Sequence, residues 1–251
     1  MEGYIINNNK YECTGCEACV QICPENAIHM EEDEEKFRYP RIEKNLCIGC
    51  NLCERVCPEG NEIIFNTSKK YVFGGYNLDP NVKFNSTSGG AFSAIVEAYC
   101  DENYVIFGAK SKGLLVYHSY ITDKRQIAEF RKSKYSQSMI GNSYKNARKF
   151  LIKGKKVLFS GTPCQISGLN NYLRLTKTDT DKLLTVEVVC EGVPTPLYIK
   201  KYNDYLKRKY GGEIEEIDYR YKDKTFFSHG KWDFQVMKTW LHNLGGGEMG
   251  L

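Results

Sequence analysis

The segment CTGCEACVQICP at residues 13–24 recurs, with the same cysteine spacing, as CIGCNLCERVCP at residues 47–58. Together the two segments hold eight of the eleven cysteines of the chain. In each segment two residues separate the first, second and third cysteines, three residues separate the third from the fourth, and a proline follows the fourth. This spacing holds a pair of cubane 4Fe–4S clusters. The repeat therefore predicts a small two-cluster, ferredoxin-like domain.

In this spacing the first three thiolates of a loop bind one cluster, and the fourth binds the other. The predicted ligands therefore form two sets that cross over between the loops. One set is Cys13, Cys16, Cys19 and Cys57, and the other is Cys47, Cys50, Cys53 and Cys23. Pro24 and Pro58 end the loops, because proline fixes its own backbone and restricts the residue before it.

Two other uses of cysteine fit the sequence less well. Zinc sites use paired C-x-x-C units, but not this four-cysteine run given twice. A disulfide framework requires a secreted chain, and residues 1–6 lack the basic region and apolar stretch of a signal peptide. Free thiols in this number are typical of a reducing compartment. We therefore expect a cytoplasmic protein without a transmembrane segment, since no apolar run is long enough to span a bilayer.

The charge is unevenly distributed along the chain. Residues 1–66 carry 13 acidic and 6 basic side chains, a balance of −7, so that the remainder carries +11 within the total of +4. An acidic cluster domain suits docking to a basic redox partner. The basic remainder suits an anionic cofactor, and it contains no recognised nucleic-acid-binding motif. We therefore predict a protein redox partner and no nucleic acid.

Strand-like and helix-like segments alternate beyond residue 70 and predict an α/β or α+β domain. The predicted strands of this region are Tyr71–Tyr76, Tyr104–Gly108, Leu114–Ile121, Lys156–Ser160, Leu183–Val189, Glu215–Tyr221 and Lys231–Trp240. The predicted helices are Ala91–Tyr99, Ser143–Ile152, Gln165–Leu173 and Pro196–Tyr210. In the cluster domain we expect short strands at Ala27–Met30 and Glu62–Phe65, with a solvated acidic loop at Glu31–Glu35 between them.

The predicted architecture is therefore a small two-cluster, ferredoxin-like domain at residues 1–66, followed by a mixed α/β domain at residues 67–251. The second domain divides into an N-terminal part, 67–150, and a C-terminal part, 151–251.

Two predicted strand-to-helix junctions have unusual chemistry. The first is NSTSGG at residues 85–90, and the second is SGTPCQ at residues 160–165. Glycines allow close approach of a ligand, and free amides at a helix start favour an anion. A plain Ser/Thr helix cap with a flexible turn explains the first junction equally simply. From these residues alone, phosphate binding and simple capping both stay open.

Four segments in order resemble the coenzyme F420 hydrogenase/dehydrogenase beta-subunit family, in its bacterial form with an N-terminal two-cluster ferredoxin domain. They are STSGGAF at 86–92, SKYSQS at 133–138, GTPCQI at 161–166 and VCEGVP at 189–194. The resemblance covers roughly residues 10–230. It implies a flavin-binding-like fold in the second domain and a flavoprotein, with FAD or FMN, that passes electrons between iron–sulfur clusters and a two-electron acceptor. The family pattern continues beyond residue 251, which predicts a C-terminally truncated member.

The resemblance also implies a set of flavin-site residues. Those of the first junction would line the phosphate or ribityl region, with the others close by, and Lys134 would balance pyrophosphate charge. The set is Ser86, Thr87, Ser88, Gly89, Gly90, Ser133, Lys134, Tyr135, Ser138, Gly161, Thr162 and Pro163. From the residues alone, Lys134 is interpreted as a surface lysine beside Arg131 and Lys132.

The other cysteines and the histidines give weaker signals. Cys164 has three interpretations of equal weight: an unused cluster ligand, a low-pKa thiol at a helix start, or a small buried residue. Cys190 lies where the family has a cluster cysteine, but Glu191 replaces the usual following histidine. The four histidines form no metal or triad spacing and are expected to be structural or surface residues. No side chain stands out as a general acid or base, so no catalytic residue is assigned.

These observations together predict an iron–sulfur flavoprotein oxidoreductase. Electrons would pass between a low-potential donor, two 4Fe–4S clusters and a flavin, and on to a two-electron acceptor of the coenzyme F420 type or another type. The partner would be a ferredoxin-like protein or a larger oxidoreductase subunit. The alternative is a non-catalytic electron-carrier subunit that holds the clusters and no flavin.

Overall fold

The computed structural model describes residues 10–59, 70–212, 214–220, 238–241 and 248–250. Its first part holds a short 3-10 turn, Lys10–Glu12, and two short helices, α1 (Ala18–Ile22) and α2 (Leu52–Val56), each inside a cysteine loop. An antiparallel hairpin of β1 (Ile28–Glu32) and β2 (Arg38–Ile42) lies between these helices in the chain.

The hairpin both confirms and corrects the sequence prediction. The strand predicted after the first cysteine loop is present as β1, whereas its partner β2 was not predicted. β2 contains Pro40, and proline argues against a strand except at the edge of a sheet. In this two-stranded sheet β2 is an edge strand. The acidic run lies partly in β1 and partly in the turn, where the Asp33 carboxylate accepts the amides of Glu35 and Phe37. The strand predicted at 62–65 lies outside the described residues.

The second part is built on a four-stranded mixed sheet. Its strands are β3 (Tyr104–Lys112), β4 (Leu115–Ile121), β5 (Lys156–Gly161) and β6 (Leu183–Glu187), in the order β4-β3-β5-β6. The β3–β4 pair is antiparallel, and the β3–β5 and β5–β6 pairs are parallel. Three short strands, β7 (Ile214–Asp218), β8 (Lys238–Leu241) and β9 (Glu248–Gly250), form a separate antiparallel sheet.

Helices complete the second part. They are α3 (Pro80–Phe84), α4 (Ala91–Tyr99), α5 (Ser143–Ile152), α6 (Pro163–Leu175) and α7 (Pro196–Tyr210), with a 3-10 segment at Lys124–Phe130. The mixed α/β architecture predicted from the sequence is confirmed. Among the described residues, no helix is both long and apolar enough to cross a lipid bilayer.

Most predicted elements of this part are present, and one is wrong. Three of the four predicted helices, α4, α5 and α7, have the predicted bounds, while α6 extends the fourth by two residues at each end. The strand predicted at Tyr71–Tyr76 does not form. Tyr71, Val72 and Phe73 are largely exposed there, at 72%, 97% and 87%. Aromatic and β-branched residues favour a strand only where a neighbouring strand pairs with the backbone and the side chains pack on a buried face. Most of the range predicted at 231–240 lies outside the described residues, although β8 begins within it.

The four-stranded sheet separates two apolar cores. Val105, Phe107 and Phe159 face one core, and Ile106 and Leu158 face the other, as the two-residue period of a strand requires. The first core also contains residues of both cysteine loops: Cys16, Ala18, Ile22 and Val56. The cluster part therefore shares its core with α5 and α6. The predicted domain boundary at residue 66 falls outside the described residues and stays a prediction.

Hydrogen bonds from the cluster part complete the start of α5. The side chain of Asn142, the residue that precedes this helix, makes no capping bond. Instead Glu17 Oε2 accepts the amide of Gly141 at 2.9 Å, and Gln21 Oε1 accepts the amides of Tyr144 and Lys145 at 2.9 and 3.2 Å. A helix start presents unpaired amides and a partial positive charge, so a carboxylate is favourable there. The first cysteine loop thus supplies the cap that α5 lacks in its own sequence.

We predict that Gly168→Ala destabilises the contact between α6 and the first cysteine loop. A Cβ there would lie 3.1 Å from Tyr144 Oη, and 3.3 Å from both Ala18 Cβ and Cys16 Sγ. Overpacking of this kind typically costs about 1–3 kcal/mol. Anaerobic urea unfolding of the iron-loaded protein measures the effect. Asn170→Ala on the exposed side of the same helix is the control and should change stability by less than about 0.5 kcal/mol. Equal stability of both variants would contradict the packing argument.

Candidate metal centres and the adjoining pocket

The two cysteine loops have the same backbone conformation. Gly15 and Gly49 have φ of +65° and +68°, and Glu17 and Asn51 have φ of 59° and 57°. These left-handed residues turn each chain tightly just before its short helix. Cys23 and Cys57 then follow α1 and α2 in extended conformation. The repeat predicted from cysteine spacing is therefore also a repeat of structure.

The thiols of the first predicted ligand set lie close together, with Cys16 buried and Cys13, Cys19 and Cys57 half-buried. Burial raises the pKa of Cys16 to about 12, and the neighbouring thiols of Cys57 and Cys13 raise it further. Burial also raises the pKa of Cys19 well above its ordinary value, and again Cys16, Cys13 and Cys57 add to the rise. Burial raises the pKa of Cys57 to about 11, with Cys13 contributing. All four members thus act on one another, including the thiol from the second loop.

This environment fits a cationic metal group. Thiols with raised pKa values resist ionisation, and a strong positive charge among them stabilises the thiolate form that metals require. Within the described parts of the chain, no three His, Cys, Asp or Glu side chains gather closely enough to hold a single metal ion. A cubane differs, because each cysteine binds a different iron and the ligand sulfurs stand further apart.

The second predicted ligand set is more open to solvent. Cys47 and Cys50 are exposed, and Cys53 and Cys23 are half-buried. Burial raises the pKa of Cys53, to which the Cys50 thiol contributes. The Cys23 sulfur accepts the amide of Ala27 at 3.3 Å, a bond that suits a cluster ligand. The membership of Cys23 in this set stays a prediction.

Cys164 lies beside the first ligand set. It packs against the core that contains Cys16. Burial is the main cause of the raised pKa of Cys13 and of Cys16, and the Cys164 thiol adds a smaller contribution to both. Its sulfur is 3.2 Å from the Thr162 hydroxyl at the start of α6. Of the interpretations left open by the sequence, the half-buried position argues against a purely buried small residue. Cys190 is exposed and Cys100 is buried in the other core.

The structure brings together the segments predicted to hold a flavin. The Ser133 amide donates to Thr87 Oγ1 at 2.7 Å, which joins the first junction to the segment 133–138. Gln165 Nε2 donates to Ser138 Oγ at 3.0 Å, and Gln165 Oε1 accepts the Thr162 amide at 3.0 Å. These contacts link 133–138 to the second junction, so the three segments border one region. The flavin-site assignment itself stays a prediction.

Several of these residues also have structural roles. Ser86 Oγ donates to the carbonyl of Val82, and a Cβ on Gly89 would lie 3.1 Å from the carbonyl oxygen of Gly75. Gly90 has φ of +78°. The two glycines are therefore required by close packing and by a left-handed turn, independently of any ligand. Lys134 Nζ donates to the carbonyl of Arg131 at 2.7 Å, and burial first and Lys132 second lower the pKa of Lys134 to about 8.

His118 is a structural residue of this region that the sequence did not single out. Its Nε2 lies 2.9 Å from the Ser160 carbonyl, and its Nδ1 lies 2.9 Å from Ser138 Oγ. A neutral ring donating from Nε2 accepts the Ser138 hydroxyl at Nδ1. Burial lowers the pKa of His118 to about 4, which keeps the ring neutral at pH 7. The ring thereby ties segment 133–138 to β5. No spacing signal in the sequence indicated this, since the partners lie 20 and 42 residues away.

Comparison with known proteins agrees with this geometry. Residues 12–61 match the family model of the 4Fe-4S dicluster domain, which supports iron–sulfur clusters at the two cysteine loops. Residues 154–243 match the model for the C terminus of the coenzyme F420 hydrogenase/dehydrogenase beta subunit. Over these two ranges the chain is therefore similar to a dicluster ferredoxin-type domain and to that beta subunit, in agreement with the resemblance stated from its sequence. The segments 86–90 and 133–138 lie outside both matched ranges.

One similar solved structure is described as a xenon derivative of the F420-reducing [NiFe] hydrogenase complex from Methanosarcina barkeri. The identity is 16% and the TM-score 0.41, over 70% of this chain and 58% of that chain. This chain thus spans less than two thirds of its neighbour. No curated protein matches.

We predict that paired cysteine substitutions distinguish crossed from uncrossed ligand sets. If Cys13 and Cys57 serve the same cluster, Cys13→Ser/Cys57→Ser should keep about four of about eight irons, whereas Cys13→Ser/Cys23→Ser should lose nearly all. Iron and sulfide analysis of anaerobic preparations measures the outcome, with Cys100→Ala as a control that keeps all eight. The reverse result for the two double variants would show that each loop binds its own cluster.

We predict that His118 makes stability depend on pH. A pKa of about 4 in the folded state, against an ordinary value of 6.5, means that the unfolded chain binds the proton first. The contribution is complete above pH 6.5 and is lost as pH falls toward 4. Between pH 7 and pH 5 the loss is about 2 kcal/mol. The measurement is the difference between the anaerobic urea midpoints of wild type and His118→Gln at each pH. Taking this difference removes the acid sensitivity that both proteins share. Parallel curves would contradict the prediction.

Proposed function

We propose that this chain is an iron–sulfur flavoprotein oxidoreductase that passes electrons between a protein partner and a two-electron acceptor. When bound, two 4Fe–4S clusters supply single-electron transfer, and a flavin, FAD or FMN, links it to two-electron chemistry. The acceptor would be coenzyme F420 or another two-electron carrier. The residues of this chain position the two sites and fix the distance between them.

The single observation that carries the proposal is the position of the first turn of α6. Cys164 in this turn packs against the core that contains Cys16 and raises the pKa of that thiol, and the neighbouring residues Gly161 and Thr162 belong to the pocket implied by the family. The interior cluster site and the predicted flavin pocket are thus joined through a few consecutive residues. Electron transfer between two centres requires that they lie close together. If the two parts of the chain only packed against each other, their predicted cofactor sites would not need to be adjacent.

Hydrogen bonds hold the two sites in fixed relation. Tyr144 is fully buried, and its hydroxyl lies 3.0 Å from the Cys16 carbonyl and 2.9 Å from the Gln165 carbonyl. Gln165 in turn holds Ser138 and the Thr162 amide through its side chain. Buried, satisfied polar networks of this kind rigidify a site. The chain therefore supplies a rigid link from the first cysteine loop to the pocket.

The exposure of the two ligand sets supports an order of transfer. The second set, with Cys47 and Cys50 exposed, faces the outside, and the first set lies in the interior beside the pocket. Electrons would enter or leave through the second cluster and pass the first on the way to the pocket. The acidic balance of residues 1–66 favours a basic protein partner.

We predict that anaerobically purified protein contains about eight irons and one flavin per chain, and that Thr87→Val reduces flavin occupancy about tenfold. Thr87 Oγ1 accepts the Ser133 amide, so valine leaves that donor unpaired and separates two segments of the pocket, a change of about 1–3 kcal/mol. The measurements are iron analysis and chromatography of the cofactor released by acid.

Thr180→Val, at an exposed position, is the matched control and should keep both cofactors. Iron without flavin in the wild type would refute the oxidoreductase and leave the electron-carrier subunit. Equal flavin occupancy in all three proteins would refute the assigned pocket.

A further inference from the structure

The internal repeat allows the surroundings of the two cysteine loops to be compared position by position, with an offset of 34 residues. A Cβ on Gly15 would lie 2.5 Å from Gln137 Nε2, whereas a Cβ on the equivalent Gly49 would meet no atom of the described residues within 4 Å. Cys16 is only 7% exposed, whereas the equivalent Cys50 is exposed. One face of the same local structure is therefore covered in the first copy and open in the second.

The contacts that cover the first copy show what such a loop offers to a neighbour. Gln137 Nε2 donates to the Thr14 carbonyl at 2.7 Å, and the Tyr144 hydroxyl lies 3.0 Å from the Cys16 carbonyl. Both partners belong to the α/β part and bind backbone acceptors of the loop. The equivalent residues in the second copy are Ile48 and Cys50, and every residue from 43 to 51 is exposed.

The open face also carries apolar side chains. Ile48 replaces Thr14 and is 64% exposed, and Leu46 is 49% exposed. Apolar side chains held at the surface next to a functional group mark an interaction site more often than scattered ones do. The loop itself is nearly neutral, since Glu43 and Glu54 are offset by Lys44 and Arg55. The acidic excess of residues 1–66, to which this loop belongs in the chain, attracts a basic protein from a distance.

We propose that residues 46–51 are the docking surface for a separate one-electron redox protein, which presents a small apolar, hydrogen-bond-donating patch inside a basic rim. The partner covers the second cysteine loop as α5, α6 and segment 133–138 cover the first. The apolar contact gives close approach to the second cluster, and the charges orient the encounter. This inference rests on the proposed function and deepens it by naming the chemistry of the partner.

The test uses the iron-loaded protein, reduced anaerobically with dithionite, and cytochrome c as a basic one-electron probe. Stopped-flow measurement of haem reduction gives the second-order rate constant. Ile48→Lys places a positive charge at the centre of the surface and should lower this rate constant about fivefold at low ionic strength. Ile152→Lys is the matched control, because Ile152 is 63% exposed and is the last residue of α5, whereas the first cysteine loop contacts the start of that helix. It should leave the rate constant near that of the wild type.

Iron content and the spectra of both clusters should be unchanged in both variants, and Leu46→Lys serves as a second variant if Ile48→Lys loses iron. Added salt should reduce the wild-type rate constant and the difference between the variants together. An unchanged rate in Ile48→Lys and Leu46→Lys, or an equal loss in Ile152→Lys, would overturn the proposal. So would a wild-type dimer in sedimentation velocity that Ile48→Lys dissociates, because a second copy would then cover the loop. The assay needs no flavin, so its result is independent of the flavin test.

Discussion

The insertion of the first cysteine loop into the core of the α/β part is the contact on which the rest of the structure depends. Cys16, Ala18 and Ile22 belong to the same apolar core as Phe107 and Phe159 of the sheet. A small cluster domain has little core of its own, so both the metal and this shared packing must stabilise it. The α/β part depends on the contact as well, since Glu17 and Gln21 cap α5.

This shared core has a chemical consequence. Thiols buried among apolar side chains resist ionisation, as the raised pKa of Cys16 and Cys19 shows. Metal binding supplies the positive charge that offsets this cost, so cluster assembly and completion of the core are coupled. In the second loop Cys47 and Cys50 are exposed. Two copies of one motif thereby acquire different environments, one in the interior and one at the surface.

The region beside α6 where the flavin pocket is predicted contains the same network. Tyr144 touches the Cys16 carbonyl on one side and the Gln165 carbonyl on the other, and Gln165 continues to Ser138 and Thr162. His118 of β4 joins this network, because its neutral ring accepts the Ser138 hydroxyl at Nδ1. Changes at the first cluster site are therefore expected to reach the pocket through a few fixed hydrogen bonds, without movement of a whole domain.

The sequence alone determined the cysteine repeat, the crossed ligand sets as a prediction, and nearly all helices and strands of the α/β sheet. These features depend on local spacing: thiols at fixed intervals, and apolar residues with a period of two or of three to four. The strand predicted at Tyr71–Tyr76 failed because a strand exists only if another strand accepts its hydrogen bonds, whereas β2 has such a partner in β1 despite its proline. Tertiary structure alone decided which cysteine loop is covered, where Cys164 lies, and that His118 links Ser138 to β5. These contacts join residues far apart in the chain, so no local pattern encodes them.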